Sequence, residues 1–244
     1  IFNISKLTKL NQKFPSKIQL ALRRLYYYFF GERFYKSLNY NWHKYSKRFE
    51  IINRIIEIKN YEKYLEIGCQ TNENFTKINI KNIIGVDPND GGTHRMTSDQ
   101  FFFDNQDNFD LIFIDGLHEY KQVRKDIYNS LKVLTKNGMI LIHDCLPSKI
   151  WHQTVPQTHS SWNGDVWKAL VECRTDLNID TYTCVADHGI GVVFKRENLN
   201  PLKIEISNFH ELKFKDYFKN HHEFMNLITE NQLYELVKNY NHNI

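Results

Sequence analysis

Two side chains able to do chemistry stand three residues apart at the end of the segment FDLIFIDGLHEY (109–120): a carboxylate, Asp115, and an imidazole, His118. A second pair, His143-Asp144, closes the apolar run MILIHD (139–144). An imidazole with an unperturbed pKa of about 6.5 can accept a proton at neutral pH. If the two runs are neighbouring strands, Asp115 and Asp144 lie side by side, about 5 Å apart by sheet spacing. Carboxylates that close repel unless a cation or a proton lies between them. A divalent ion there would bind a substrate hydroxyl and lower its pKa. Plainer readings stay open at this point. Asp115-Gly116 also suits a strand-to-helix turn, His118 a helix opening, His143 a hydrogen-bonded core histidine, and Asp187-His188 a hairpin turn.

The elements that must position these groups are legible from periodicity. Residues 16–30 and 41–59 read as helices; in the second, Phe49, Ile52, Ile55, Ile56 and Ile58 recur at helical spacing. KYLEIG (63–68) and NIIGVD (82–87) read as strands, with one or two helical turns in NENFTKI between them. A weak strand near 94–97 precedes SDQFFFDN, where Ser98 is expected to cap a helix. FDLIFID (109–115) is nearly continuous in apolar residues, as a strand covered on both faces would be. Val123, Ile127, Leu131 and Leu134 then line one face of a helix that Asn137-Gly138 is expected to end. MILIHD is the next strand. Residues 145–163 have no clear period and include Trp151, His152, His159 and Trp162, the composition of an acceptor lid. A helix at 164–174 containing Trp167, expected in the core, leads to an antiparallel hairpin of IDTYTCVA and GIGVVFK. Small helices are expected over 205–244. Alternation of β and α from 62 to 144 argues for a parallel, doubly wound sheet.

In such a sheet ligands bind beyond the carboxyl ends of the strands. Five successive strand ends here carry Glu66-Ile67-Gly68, Asp87, Thr97-Ser98-Asp99, Asp115 and His143-Asp144. Asp87 follows Gly68 by 19 residues, the right distance for an acid that holds ribose hydroxyls. A dinucleotide would need further glycines to bring backbone onto its pyrophosphate, but the loop reads EIGCQTNEN, with Gln70 and Asn72 at those places. This counts against NAD and favours a nucleoside without phosphates. S-adenosylmethionine (SAM) is such a ligand, and Asn72 can adopt positive φ at modest cost.

YLEIGC, IIGVDP, MTSDQFF, FDLIFIDGLHEYKQVRKDI, GMILIHDC and WNGDVWKAL together resemble class I SAM-dependent methyltransferases. More narrowly they resemble the bacterial group of macrocin, mycinamicin and rhamnosyl O-methyltransferases and cephalosporin hydroxylase-like proteins. The resemblance spans about residues 42–195. It implies that Glu66 and Gly68 line the methionine and ribose part of SAM, that Asp87 takes the ribose hydroxyls, and that Thr97, Ser98 and Asp99 border the adenine. It further implies that Asp115 serves both cofactor and metal, and that His118 is the catalytic base. The group carries two adjacent carboxylates where this chain has His143-Asp144. A metal held by Asp115, His143 and Asp144 would therefore be Mn²⁺, Fe²⁺ or Zn²⁺ more readily than Mg²⁺. The expected fold is α/β: a Rossmann-like, doubly wound, mostly parallel seven-stranded sheet with an antiparallel C-terminal hairpin and helical extensions at both ends. The expected division is a helical extension over 1–60, the SAM-binding domain over 61–196, and a helical tail over 197–244 packed on the same domain.

Net charge is +4 but unevenly spread: residues 1–60 hold 13 Lys/Arg against 3 Asp/Glu, which leaves the remainder at −6. A basic, aromatic segment can touch nucleic acid or an anionic membrane. No nucleic-acid motif accompanies the charge, so the expectation is a solvated helix face with core aromatics. The four cysteines show neither a C-x-x-C pair nor zinc spacing and read as buried thiols of a reducing cytosol, hence a cytoplasmic location. No run reaches 18 apolar residues. IQLALRRLYYYFF is broken by Arg23 and Arg24 and lacks a small-residue cleavage site, so neither a transmembrane segment nor a signal peptide is expected. The function expected is SAM-dependent methyl transfer to a hydroxyl of a small-molecule or glycan acceptor, with homo-oligomerisation left open. The alternatives are a non-catalytic module that binds through its basic arm and an NAD-type oxidoreductase.

Overall fold

The computed structural model describes residues 15–240. Its sheet contains β1 (Lys63–Ile67), β2 (Asn82–Asp87), β3 (His94–Arg95), β4 (Phe109–Ile114), β5 (Leu134–Ile142), β6 (Asp180–Cys184), β7 (Ile190–Phe194) and β8 (Leu227–Ile228). They run in the order β3-β2-β1-β4-β5-β7-β6-β8. Only β7 is antiparallel to its neighbours; every other pairing is parallel. The sequence expected seven strands, and the two-residue β8, paired with β6, makes the eighth.

The strand period of two sorts the apolar side chains into two cores. Leu65 and Ile67 of β1, Ile112 and Ile114 of β4, and Ile140 and Ile142 of β5 face one side. Tyr64, Leu111, Phe113, Met139 and Leu141 face the other. Helices cover both faces: α1 (Lys17–Phe30), α2 (Arg48–Lys59), α3 (Ser98–Asp104), α4 (Tyr120–Lys132), α5 (Trp167–Cys173), α6 (Phe214–Met225) and α7 (Glu230–Asn239). Val123, Ile127 and Leu131 of α4 join Trp167 and Tyr217 in the first core. Ile51, Ile52, Ile55 and Ile56 of α2 join Leu233 and Val237 of α7 in the second. Such double cover is why β4 shows no alternation in its sequence.

Several boundaries differ from expectation, each for a local reason. The helix expected over 41–59 is a 3₁₀ turn at Trp42–Lys44 followed by α2 from Arg48, with Asn60 in the left-handed region closing it. NENFTKI forms one 3₁₀ turn, Phe75–Lys77. Thr97, not Ser98, caps α3: its hydroxyl accepts from the Gln100 amide at 3.2 Å, and the Gln100 side chain accepts in return from the Thr97 amide at 3.1 Å. α4 stops at Lys132, and Asn137-Gly138 lies within β5, where strand pairing beside Phe109 and a Tyr61 hydroxyl bond to the Asn137 carbonyl override the turn signal. The hairpin turn is as expected, with Asp187, His188 and Gly189 all at positive φ. The aromatics of α1 are not core: Tyr26, Tyr28, Phe29 and Phe30 are 61%, 65%, 58% and 75% exposed. No helix of the described residues is long and apolar enough to cross a membrane.

Candidate functional site

The chain runs from β1 to β2 and β3 on one side of the sheet, then returns to β4 and continues on the other. The crevice at this reversal, beyond the carboxyl ends of β1 and β4, is where such sheets hold ligands. A cleft of about 780 Å³ opens there, and Glu66, Gly68, Asp87, Thr97, Ser98, Asp99, Asp115, His118, His143 and Asp144 all line it. These ten candidate residues are therefore brought to one place; of the lid residues named from the sequence, Trp162 lines the cleft and Trp151, His152 and His159 do not.

On the β1–β2 side the backbone is tightly drawn. The Gly68 amide donates to the Val86 carbonyl and the Asp115 amide to the Ile67 carbonyl, each at 2.8 Å. Gly68 has φ +90, and a Cβ there would sit 2.3 Å from the Asp115 carbonyl oxygen, so no other residue fits without displacing β4. Gln70 and Asn72, at the places where a dinucleotide loop has glycines, adopt φ 48 and 64. The turn is thus made without glycine at these two places, and the Asn72 side chain accepts from the Gly92 amide at 2.7 Å. The Asp87 carboxylate accepts from the Gln70 amide at 2.8 Å and the Asn89 amide at 2.7 Å, which fixes its orientation at the end of β2. Glu66 is buried below the cleft. Burial pushes its pKa up to about 7, against the pull of the Tyr64 hydroxyl and Asn74 amide that donate to it at 2.7 and 2.8 Å.

At the start of α3, Ser98 and Asp99 are tied to α4 through Gln122. Its amide nitrogen lies 3.2 Å from the Ser98 hydroxyl, 3.0 Å from Asp99 and 3.1 Å from Asp126. Asp126, one turn beyond Gln122, is buried, and burial lifts its carboxyl to about 6. Nothing in the sequence singles it out beyond the Gln122–Asp126 spacing.

On the β4–β5 side the register pairs Ile114 with Ile142. The neighbour of Asp115 is therefore His143, and Asp144 lies one residue further on, turned inward by φ 60. Imidazoles fill the space between the carboxylates. His143 Nδ1 is 3.1 Å from Asp115 and 3.5 Å from Asp144. His118 reaches Asp115 through Nε2 at 3.1 Å and Asp144 through Nδ1 at 3.3 Å. Burial works against charge on both rings, but the two aspartates outweigh it: His143 is raised to about 9, and His118 above its ordinary value. Burial likewise opposes ionisation of Asp115, yet His143 and His118 hold its carboxyl well below the usual range. The proton that two close carboxylates require is thus held by His143.

Arg48 and Asp187 complete the cluster, and neither was identified from the sequence. The Arg48 amide donates to Asp187 at 2.7 Å, and Arg48 Nε lies 3.7 Å from Asp115. Asp187 had only a turn role; its carboxylate is 3.9 Å from His143 Nε2. The 145–163 segment folds back over the site. Trp162 stacks on His118 with ring centres 5.2 Å apart, and Asn163 donates to Asp144 at 2.7 Å. Gly164, at φ +64, passes so close that a Cβ would lie 1.7 Å from the His118 carbonyl oxygen. Trp151 is partly buried against the core and Trp167 is wholly inside it.

For a metal the donor set is suitable. Asp115, His118 and Asp144 each offer one ligand atom, all within 4.8 Å of one another. His143, the imidazole expected in this set from the sequence, lies beside it: His143 Nδ1 and His118 Nε2 are each 3.1 Å from Asp115. Two carboxylates and an imidazole suit a borderline divalent ion.

Residues 47–145 match the family model described as a methyltransferase domain. Among solved structures, the chain is similar to the SAH-bound Podospora anserina methyltransferase PaMTH1, at 15% identity over 77% of this chain and 100% of that one, TM-score 0.48. It is similar to an O-methyltransferase from Bacillus cereus in complex with SAH, at 9% identity over 74% and 91%, TM-score 0.45. It is also similar to the MycE methyltransferase of the mycinamycin biosynthetic pathway, in complex with Mg and SAH, at 16% identity over 63% and 51%, TM-score 0.41. No curated protein matches the sequence. The methyltransferase resemblance drawn from the motifs holds, since all but WNGDVWKAL begin and end inside the matched span or overlap it. Residues 47–145, which carry β1 to β5 and all ten expected site residues, are thus similar to the methyltransferase-domain family.

Proposed function

We propose that the protein transfers the methyl group of SAM to a hydroxyl of a small-molecule or glycan acceptor. The observation that carries this reading is a single cleft lined by Glu66, Gly68 and Asp87 at one end and by the acid–imidazole cluster of Asp115, His118, His143 and Asp144 at the other. Bound there, SAM supplies an electrophilic methyl on a sulfonium. In this reading Asp87 accepts from the ribose hydroxyls, Glu66 and Gly68 line the methionine and ribose, and Thr97, Ser98 and Asp99 border the adenine. Asp115 stands between the two ends. His118 takes the proton of the acceptor hydroxyl, and Asp115 and Asp144 stabilise the imidazolium that forms. The protein otherwise acts by holding two reactants in line. Asp115 and Asp144, with the imidazole of His118 or His143, would hold a divalent ion, which would lower the pKa of the hydroxyl. The 145–163 segment covers the acceptor, with Trp162 offering an aromatic face to a sugar. Residues 61–196 form the cofactor domain, with 1–60 and 197–244 as its extensions.

Calorimetric titration with SAM and with NAD, followed by transfer of a labelled methyl group to hydroxylated acceptors, tests the reading. SAM is expected to bind and NAD not. His118→Ala should lower turnover by about 10²–10⁴-fold while leaving SAM affinity unchanged. Absence of any heat with SAM would sink the proposal.

A further inference from the structure

Helix α1 forms by its own means. Ser16 caps it, accepting from the Gln19 amide at 3.2 Å while the Gln19 side chain accepts from the Ser16 amide at 2.8 Å. Yet none of its side chains is buried. One face leans on the rest of the molecule: Arg23 donates to the Gln157 carbonyl at 3.0 Å, Arg24 to Thr158 at 2.8 Å, and Tyr27 to Val155. The opposite face carries Ile18, Leu22, Leu25 and Phe29 at spacings of four, three and four, 73%, 62%, 56% and 58% exposed. Tyr26, Tyr28 and Phe30 flank this stripe. Seven of the twelve large apolar side chains exposed among the described residues lie on this one helix. Together they present on the order of several hundred Å² of apolar surface, more than scattered exposure accounts for.

Charge identifies what covers the stripe. Residues 1–36 contain eight Lys/Arg and one acid, Glu32. Lys17 and Arg33 are exposed at the two ends of the helix, and Lys6, Lys9 and Lys13 precede it in sequence. A second copy docked on this face would bring two such basic segments together, and like charges oppose that. A nucleic acid would satisfy the cations but leave Ile18, Leu22 and Leu25 facing phosphates. An anionic lipid surface matches both features: acyl chains for the stripe and headgroup phosphates for the cations, with tyrosines at the boundary.

We propose that α1 lies in the plane of an anionic membrane surface, with Ile18, Leu22, Leu25 and Phe29 inserted and the Lys/Arg groups on the headgroups. This assignment stands independently of the methyl-transfer reading. Co-sedimentation of the full-length protein with vesicles of phosphatidylcholine, with and without phosphatidylglycerol, tests it. Binding to the anionic vesicles alone, weakened by salt, is expected. The triple variant Leu22→Ser, Leu25→Ser, Phe29→Ser should lower vesicle affinity at least about tenfold while the melting temperature stays put, because these side chains touch no core. Lys17→Glu with Arg33→Glu should remove the preference for anionic lipid. Equal binding to neutral vesicles, binding unchanged in both variants, a dimer that the triple variant dissociates with no vesicle binding, or capture by duplex DNA in place of vesicles would each overturn the proposal.

Discussion

Glu66 has its proton held by burial more firmly than an exposed glutamate would, with a pKa lifted to about 7. The unfolded chain releases that proton at about 4.3. The folded state is therefore favoured fully below the unfolded value, and the advantage is lost as pH rises through about 7. A shift of this size corresponds to about 4 kcal/mol. Glu66→Gln keeps the shape and removes the charge, so it should flatten the decline in melting temperature between about pH 5 and pH 8. Thermal melts of both proteins across that range check it; parallel curves would show that Glu66 ionises at little cost. At this scale the sequence was informative wherever a polar residue ended an apolar run, which is how Asp87, Asp115 and Asp144 could be named. Arg48 lies far along the chain from the residues it meets, and Asp187 sits in a sequence that also makes an ordinary turn, so neither had a local signal. His143 was visible, but its place beside Asp115 depends on the β4–β5 register, which no single strand reveals.

The joint between the 145–163 segment and α5 is the element whose placement governs His118. Gly164 is threaded against the His118 carbonyl, Asn163 reaches Asp144, and Trp162 covers the imidazole. Gly164→Ala must move one partner, since the added Cβ would overlap the carbonyl oxygen and the backbone sits at φ +64. Turnover is expected to fall by more than tenfold, about 1.4 kcal/mol in the barrier, with SAM affinity little changed, because Asp87 and Gly68 lie on other elements. Steady-state kinetics beside a SAM titration separate the two. The strands and the principal helices were legible because periods of two and 3.6 survive in the sequence. The end of α4 was not, because Asn137-Gly138 is a strong turn signal that the pairing of β5 overrides. The N-terminal helix was foreseen but its surroundings were not. A three- and four-residue apolar spacing reports that a helix has an apolar face, and says nothing about whether protein covers it.

Cofactor binding should be visible in the stability of the whole molecule. A ligand that binds only the folded state adds about 2.7 kcal/mol at a hundredfold excess over its Kd, so SAM is expected to raise the melting temperature and NAD to leave it unchanged. A divalent ion held by Asp115 and Asp144 would act in the same way. Mn²⁺ should then raise the melting temperature and EDTA reverse it, and Asp144→Asn should abolish both effects; an unchanged melt with either reagent removes the metal from the scheme. The sheet itself ends on both sides in strands of only two residues, β3 and β8. An outermost strand that short offers an incoming chain almost no template of free amides and carbonyls. Native molecules should therefore resist fibre growth by strand addition, and whatever they join, they will join through helices or loops.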